Sequence, residues 1–262
     1  MILNTYISLK SFINGWSRNK TDIKLVLSAV NLMHTFSFED YGLGLLRRAI
    51  GLYEQKMNIH PDNSKQAIPF FRENRRMLVG PEMEMYIISM YENDLVPLYL
   101  QMADSPILKI SLDYESLAEY CLLENLYLIR CKYDEELSLQ TFVKQLEREY
   151  DKFFFDEEHT GFTADSRFFS MLCNACMEVK RPEKMEEKEW NVALFRHPSE
   201  AEYGFVEGKL TPFISIPVPV NCIKRISLLN KDGDILSFSA LASFLQSKGL
   251  APELYLEGLI EE

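Results

Sequence analysis

Apolar positions along this chain follow first one spacing and then another. In Glu39–Lys56, Leu43, Leu46, Ile50 and Tyr53 fall three or four residues apart, which lines one face of a helix. Pro61-Asp62-Asn63-Ser64 is a turn cluster, and Asn63 or Ser64 caps a predicted helix running to about Met77. Gly80-Pro81 then breaks the chain. On this pattern residues 1–80 read as mostly helical.

Beyond Gly80 short apolar runs replace the helical stripe. Met85–Met90 (MYIISM), Ile107–Leu112 (ILKISL) and Leu126–Tyr133 (LYLIRCKY) are predicted strands, being too short for buried helices. A short helix is expected between the first two, beginning near Pro97 and ending at Met102. Leu137–Phe153 is amphipathic, with Leu139, Phe142, Val143, Leu146 and Tyr150 on one face, and Ala164–Val179 is a further predicted helix. Trp190–Arg196, Tyr203–Val206, Pro212–Ile216 and Ile223–Leu229 are predicted strands, and Pro212–Pro219 (PFISIPVP) reads as an edge strand and its exit. Lys231–Asp234 is a turn, and Phe238–Ser247 a helix that Gly249 stops. Strands and helices without regular βαβ alternation predict an α+β fold with a mixed or mostly antiparallel sheet flanked by helices. Residues 1–262 form a single domain on this reading, with a helical N-terminal part (1–80) and a sheet-containing core (81–262).

Composition removes function classes more readily than it selects one. Apolar residues make up 47% of the chain and charged residues 26%, too apolar for disorder. A net charge of −11 argues against nucleic acid as a partner, because phosphate neutralisation needs a basic face. Met1–Ser17 lacks the organisation of a secretory signal. The longest uncharged runs, Leu25–Phe38 and Leu210–Ile223, fall short of the ~20 apolar residues of a membrane span. Five cysteines without dense spacing do not make a secreted disulfide scaffold. A cytoplasmic protein with no membrane contact is expected.

Motif spacing adds further exclusions. Cys173 and Cys176 form a lone Cys-x-x-Cys inside a predicted helix, and His34, His60, His159 and His197 are scattered. A structural zinc site needs four ligands, so packing thiols and no metal are expected. Neither a phosphate-cradling glycine loop nor a Gly-x-Ser-x-Gly elbow is present, and no cofactor is predicted. Glu187-Lys188-Glu189-Trp190 holds the candidate chemistry. If a strand begins at about Glu189, both carboxylates project on one face and Trp190 on the buried other. Such a pair can hold a ribose hydroxyl, stabilise a cationic transition state or act as a base. Glu82/Glu84, Asp134/Glu136, Glu147/Glu149 and Glu200/Glu202 share the spacing, so a solvated charged loop anchored by Trp190 stands as the alternative. The charge-dense segment Glu178–Glu189 reads as a solvated connection.

The run Met85–Tyr114, then Leu126–Tyr133, Glu187–Trp190 and Gly208–Ile214, resembles in order and spacing a large bacterial family of unknown function. Some of its members are related to abortive-infection proteins of phage resistance. The resemblance covers about Gly80 to the C-terminus and implies an accessory role in phage defence or in a toxin–antitoxin system. Asn191 stands where the family has an arginine after Glu-x-Glu-Trp, Leu98 or Tyr99 where it has Trp, and Pro106 near its glycine. These departures imply a non-catalytic or degenerate member working through a protein partner, for which an acidic surface suits a basic one. The Glu-x-Glu segment is also similar to that of ADP-ribosyltransferases, where it leads into a strand and a serine on an earlier strand braces the nicotinamide pocket. That second likeness implies catalytic parts for Ser89, Glu187 and Glu189 in an enzyme using NAD.

Overall fold

The computed structural model describes residues 1–15, 23–29, 37–59, 84–94, 106–154, 171, 174–175, 177–206, 209–230, 235–247, 249 and 253–258. In chain order the elements are β1 (Ile2–Ser8), α1 (Leu9–Gly15), β2 (Ile23–Ala29), α2 (Ser37–Lys56), β3 (Glu84–Tyr91), β4 (Ile107–Asp113), α3 (Tyr114–Leu123) and β5 (Tyr127–Arg130). They continue with α4 (Glu135–Phe154), β6 (Glu189–Arg196), β7 (Glu202–Val206), β8 (Lys209–Val218), β9 (Ile223–Asn230), α5 (Ile235–Ser247) and β10 (Glu253–Gly258).

Local chemistry sets the clearest boundaries. Asp113 ends β4 and caps α3, its carboxylate accepting from the Ser116 amide and hydroxyl at 3.1 Å each. Asp134 does the same for α4 by accepting from the Leu137 amide at 2.9 Å. After α5 the chain turns at Gly249, whose φ of +72° is the left-handed conformation that glycine adopts without strain.

The strands make one sheet in the order β10-β9-β4-β1-β3-β2-β8-β7, with β6 and β5 branching from β3. Among the described strand-to-strand pairs only β9–β10 is parallel, so the fold is α+β with a mixed, mostly antiparallel sheet. Strand β3 is the fork. One edge pairs with β6 over its whole length, while the other meets β2 at Tyr86 and Ile87 and β1 at Tyr91.

Alternation then sorts the side chains into two layers. One face carries Leu3, Leu25, Tyr86, Leu108, Ile110, Val192, Leu194 and Ile226, packed against Phe12 of α1, Leu117 of α3, and Leu241 and Leu245 of α5. The other face, around Met85, Ile87 and Ala193, packs against α2 through Leu46, Ile50 and Tyr53 and against α4 through Leu139, Phe142, Leu146 and Tyr150. Burying each such aliphatic side chain contributes about 1.5–3 kcal/mol, so these two layers hold the sheet.

The helix expected over Glu39–Lys56 is present as α2, but residues 1–80 also supply two sheet strands. Ile2–Ser8 (ILNTYIS) alternates, with Leu3, Thr5 and Ile7 on the main core face and Asn4 and Tyr6 on the other. The Pro-rich strand is longer than expected and lies between β2 and β7. Its prolines remain compatible with pairing because β7 engages Lys209–Phe213 and β2 engages Phe213–Val218. Pro212 and Pro217 therefore each face only one neighbouring strand, as proline requires. Of the predicted helix at 164–179, Met171, Asn174, Ala175, Met177 and Glu178 are helical. The helices expected at 64–77 and 97–102 and the turn at 231–234 lie outside the described residues.

Candidate functional site

Strand β6 begins at Glu189 because the residue before it reverses the chain. Pro182–Glu187 is a 3-10 helix, and Lys188 follows in the left-handed region with φ 46° and ψ 50°. Strand alternation therefore starts at Glu189. Glu189, Asn191 and Ala193 point to the α2/α4 face, while Trp190, Val192 and Leu194 point to the main core. Glu187 sits on the 3-10 helix instead, partly exposed, its carboxylate 3.5 Å from Lys184. The expected one-face arrangement of Glu187 and Glu189 does not form, since the two-residue rule holds only within a strand.

The structure does bring Ser89 and Glu189 together. Ser89 stands opposite Asn191 in the β3–β6 ladder, two pairs from Glu189 and on the same face. Its Oγ donates to Glu189 Oε1 at 2.6 Å and lies 3.1 Å from Asn191 Oδ1. A hydroxyl has one proton, so the shorter contact takes it. Lys180 Nζ donates to the same Oε1 at 2.8 Å, and the Lys180 and Glu189 side chains are only 3% and 5% exposed. Glu189 is therefore buried and already paired.

The neighbouring groups are committed as well. Asn191 Nδ2 donates to the Met177 carbonyl at 2.7 Å and to Cys131 Sγ at 3.3 Å. The Cys131 thiol donates to the Met177 carbonyl at 3.4 Å. Burial and then the Glu189 charge push the Cys131 thiol well above its usual range, so it stays protonated. Tyr133 Oη accepts the Glu189 amide proton at 2.7 Å. Burial holds the Tyr133 phenol up, against the opposing effect of that bond.

On the opposite face Trp190 is buried as expected, its indole nitrogen donating to Glu92 at 2.8 Å. The Tyr114 ring packs edge-on at 5.2 Å, and Arg130 pairs with Glu92 at 3.2 Å. Lys180, Tyr133 and Cys131 are the members of the cluster that sequence reasoning did not single out.

The arrangement ties β3, β6 and the segment before the 3-10 helix through one carboxylate oxygen. Its charge is neutralised and its contact with solvent nearly closed, which suits a clamp better than a base or a cation stabiliser. Among the described residues no group of three His, Cys, Asp or Glu side chains is placed to hold a metal ion. Cys173, Cys176, His34, His60 and His159 lie outside them. His197 is exposed and caps a short 3-10 helix by accepting from the Ser199 amide at 3.1 Å. No described helix is long and apolar enough to cross a membrane. No protein family, curated protein or solved structure matches the chain.

Proposed function

We propose that this chain works by contact with a protein partner and not by turnover, with Ser89, Glu189 and Lys180 as a fixed clamp inside it. The observation that carries the reading is the state of the Glu189 carboxylate. An oxocarbenium-like centre is stabilised by an uncompensated negative charge in contact with substrate. Glu189 is buried, ion-paired to Lys180 and hydrogen-bonded by Ser89, and Glu187 stands on another element beside Lys184. A net charge of −11 favours a basic partner. An accessory role in phage defence or a toxin–antitoxin system rests on the family resemblance alone, and NAD-dependent ADP-ribosyl transfer is the competing reading.

The test separates the two. Purified protein is incubated with NAD, and nicotinamide release and the NAD dependence of the melting temperature are measured for the wild type and Glu189→Gln. No release and no NAD-dependent shift support a contact function. Release by the wild type, lost in a Glu189→Gln protein of unchanged stability, would establish the enzyme. The contact itself is read by co-expression with the adjacent genes. A basic product retained at low salt and released at high salt supports it.

A further inference from the structure

A second polar assembly lies across the same sheet, on strands the clamp does not touch. In β4 the core face takes Leu108, Ile110 and Leu112, while Lys109 and Ser111 point the other way. The ladder sets Lys109 beside Tyr6 of β1 and Ser227 of β9, and Ser111 beside Asn4 and Arg225. Asn4, Lys109 and Ser111 are each 4% exposed and Ser227 is 0%. In a chain of net charge −11, two cations thus stand on adjacent strands of one face among hydroxyls and an amide. Arg225 is steadied over the Tyr255 ring at 4.3 Å, with Glu253 its neighbour across the β9–β10 pair.

The donors converge on one point. Ser111 donates to Asn4 Oδ1 at 2.7 Å, which turns the Asn4 amide nitrogen outward. That nitrogen donates to the Asn93 carbonyl at 3.0 Å and to Asp94 Oδ1 at 3.2 Å, and Lys109 Nζ reaches the same Oδ1 at 3.2 Å. Both contacts to Asp94 are longer than the ~2.7–2.9 Å of a tight charge-assisted bond. The contrast with the clamp is informative. Lys180 holds a carboxylate that is 5% exposed at 2.8 Å, whereas Lys109, equally buried, holds one that is 78% exposed at 3.2 Å. The ammonium and amide are held within the sheet face, and the carboxylate oxygen they share belongs to a solvent-facing side chain.

We propose that this row is a binding site for an oxyanion, the phosphate or carboxylate group of a small molecule, and that Asp94 occupies it in the unliganded chain. Lys109 supplies the charge, Asn4 a second donor to the same oxygen, and Arg225 with Tyr255 the flanking shelf. A ligand enters by displacing the Asp94 carboxylate. This assignment does not depend on the contact function proposed above.

Calorimetric and thermal-shift titrations with sodium phosphate and sodium acetate, against sodium chloride at matched ionic strength, test it. Asp94→Asn removes the resident carboxylate and should bind the preferred oxyanion about tenfold tighter than the wild type, as expected for one lost charge-assisted competitor. Response to phosphate or to acetate identifies which oxyanion fits. Adding Lys109→Met to Asp94→Asn removes the ammonium as well as the carboxylate and should abolish the response. If that double variant does not fold, Arg225→Gln in the Asp94→Asn background should weaken binding severalfold. An Asp94→Asn protein that responds to neither oxyanion beyond chloride overturns the proposal, as does a response untouched by both the Lys109 and the Arg225 changes.

Discussion

Ser89 donates its hydroxyl proton to Glu189 at 2.6 Å, joining two residues that lie 100 positions apart in the chain. The contact exists because β3 and β6 pair over their full length with Ser89 opposite Asn191, which places Glu189 on the same face two pairs away. Lys180 enters from the segment between the helical residues 177–178 and the 3-10 helix and closes the remaining charge. Three separate parts of the chain thus meet at one oxygen atom.

The Lys180–Glu189 pair should behave as a buried ion pair. Lys180→Met alone leaves an uncompensated buried carboxylate and is expected to destabilise the fold by about 3–5 kcal/mol. Combining it with Glu189→Gln removes both charges and should recover most of that loss. Urea unfolding of the two single variants and the double variant measures the coupling. Equal and additive losses would mean that the pair is solvated and its burial irrelevant.

How much of this was legible in the sequence differs between sheet and site. Strands β3, β4, β6 and β9 announce themselves as short apolar runs, and α2 and α4 as stripes, because burial on one face imposes the period directly. Strand β1 alternates equally well, but its polar positions Asn4 and Thr5 are themselves buried, so it lacks the apolar density that marks a strand. Glu187 was grouped with Glu189 by a spacing that Lys188, at φ 46°, cancels. Lys180 was hidden for a different reason. It lies in a segment dense in charge, which reads as solvated, and only tertiary packing reduces its side chain to 3% exposure.

Two glycines of α2 should respond in opposite directions. A Cβ added at Gly42 would stand 2.0 Å from the Ala175 carbonyl oxygen, a backbone atom that cannot swing aside, while at Gly44 nothing lies within 4 Å. Gly44→Ala should stabilise the fold by about 0.5–1 kcal/mol through helix propensity. Gly42→Ala gains the same propensity but forces α2 away from residue 175, and should destabilise by about 1–3 kcal/mol or more. Chemical denaturation of both variants decides it, and a stabilised Gly42→Ala would show that the α2 packing is looser than described.

Tyr41 carries an alkaline signature. Its hydroxyl donates to Glu135 at 2.8 Å, and burial, then that bond and the Glu135 charge, raise its pKa to about 12. A raised folded pKa means the contribution is complete below the unfolded value of about 10, and is lost as pH rises through 12. Between those limits the wild type should lose more stability than Tyr41→Phe, measured as the shift of the urea midpoint. Parallel curves for the two proteins would show that Tyr41 ionises as freely folded as unfolded.

The three described cysteines should be inert until the fold opens. Cys121, Cys131 and Cys222 are all buried. Burial pushes the Cys121 thiol to about 12, with nearby Cys222 adding to it, and raises Cys222 too, helped by Asp113. Cys131 is raised by the same desolvation together with Glu189. The thiolate is the nucleophile, so at pH 8 iodoacetamide should leave all three unmodified in the native protein and alkylate them in urea, as peptide mass spectrometry will show. Cys131 also reports on the clamp, since Asn191 donates to its sulfur while Glu189 sits beside Asn191 on the same strand face. Lys180→Met should therefore accelerate labelling of Cys131 more than of Cys121, which belongs to the opposite layer. If both thiols accelerate together, the variant loosens the whole fold. If native Cys131 labels as fast as a free thiol, the face formed by β5 and β6 is open, and the closed description of the Glu189 cluster fails with it.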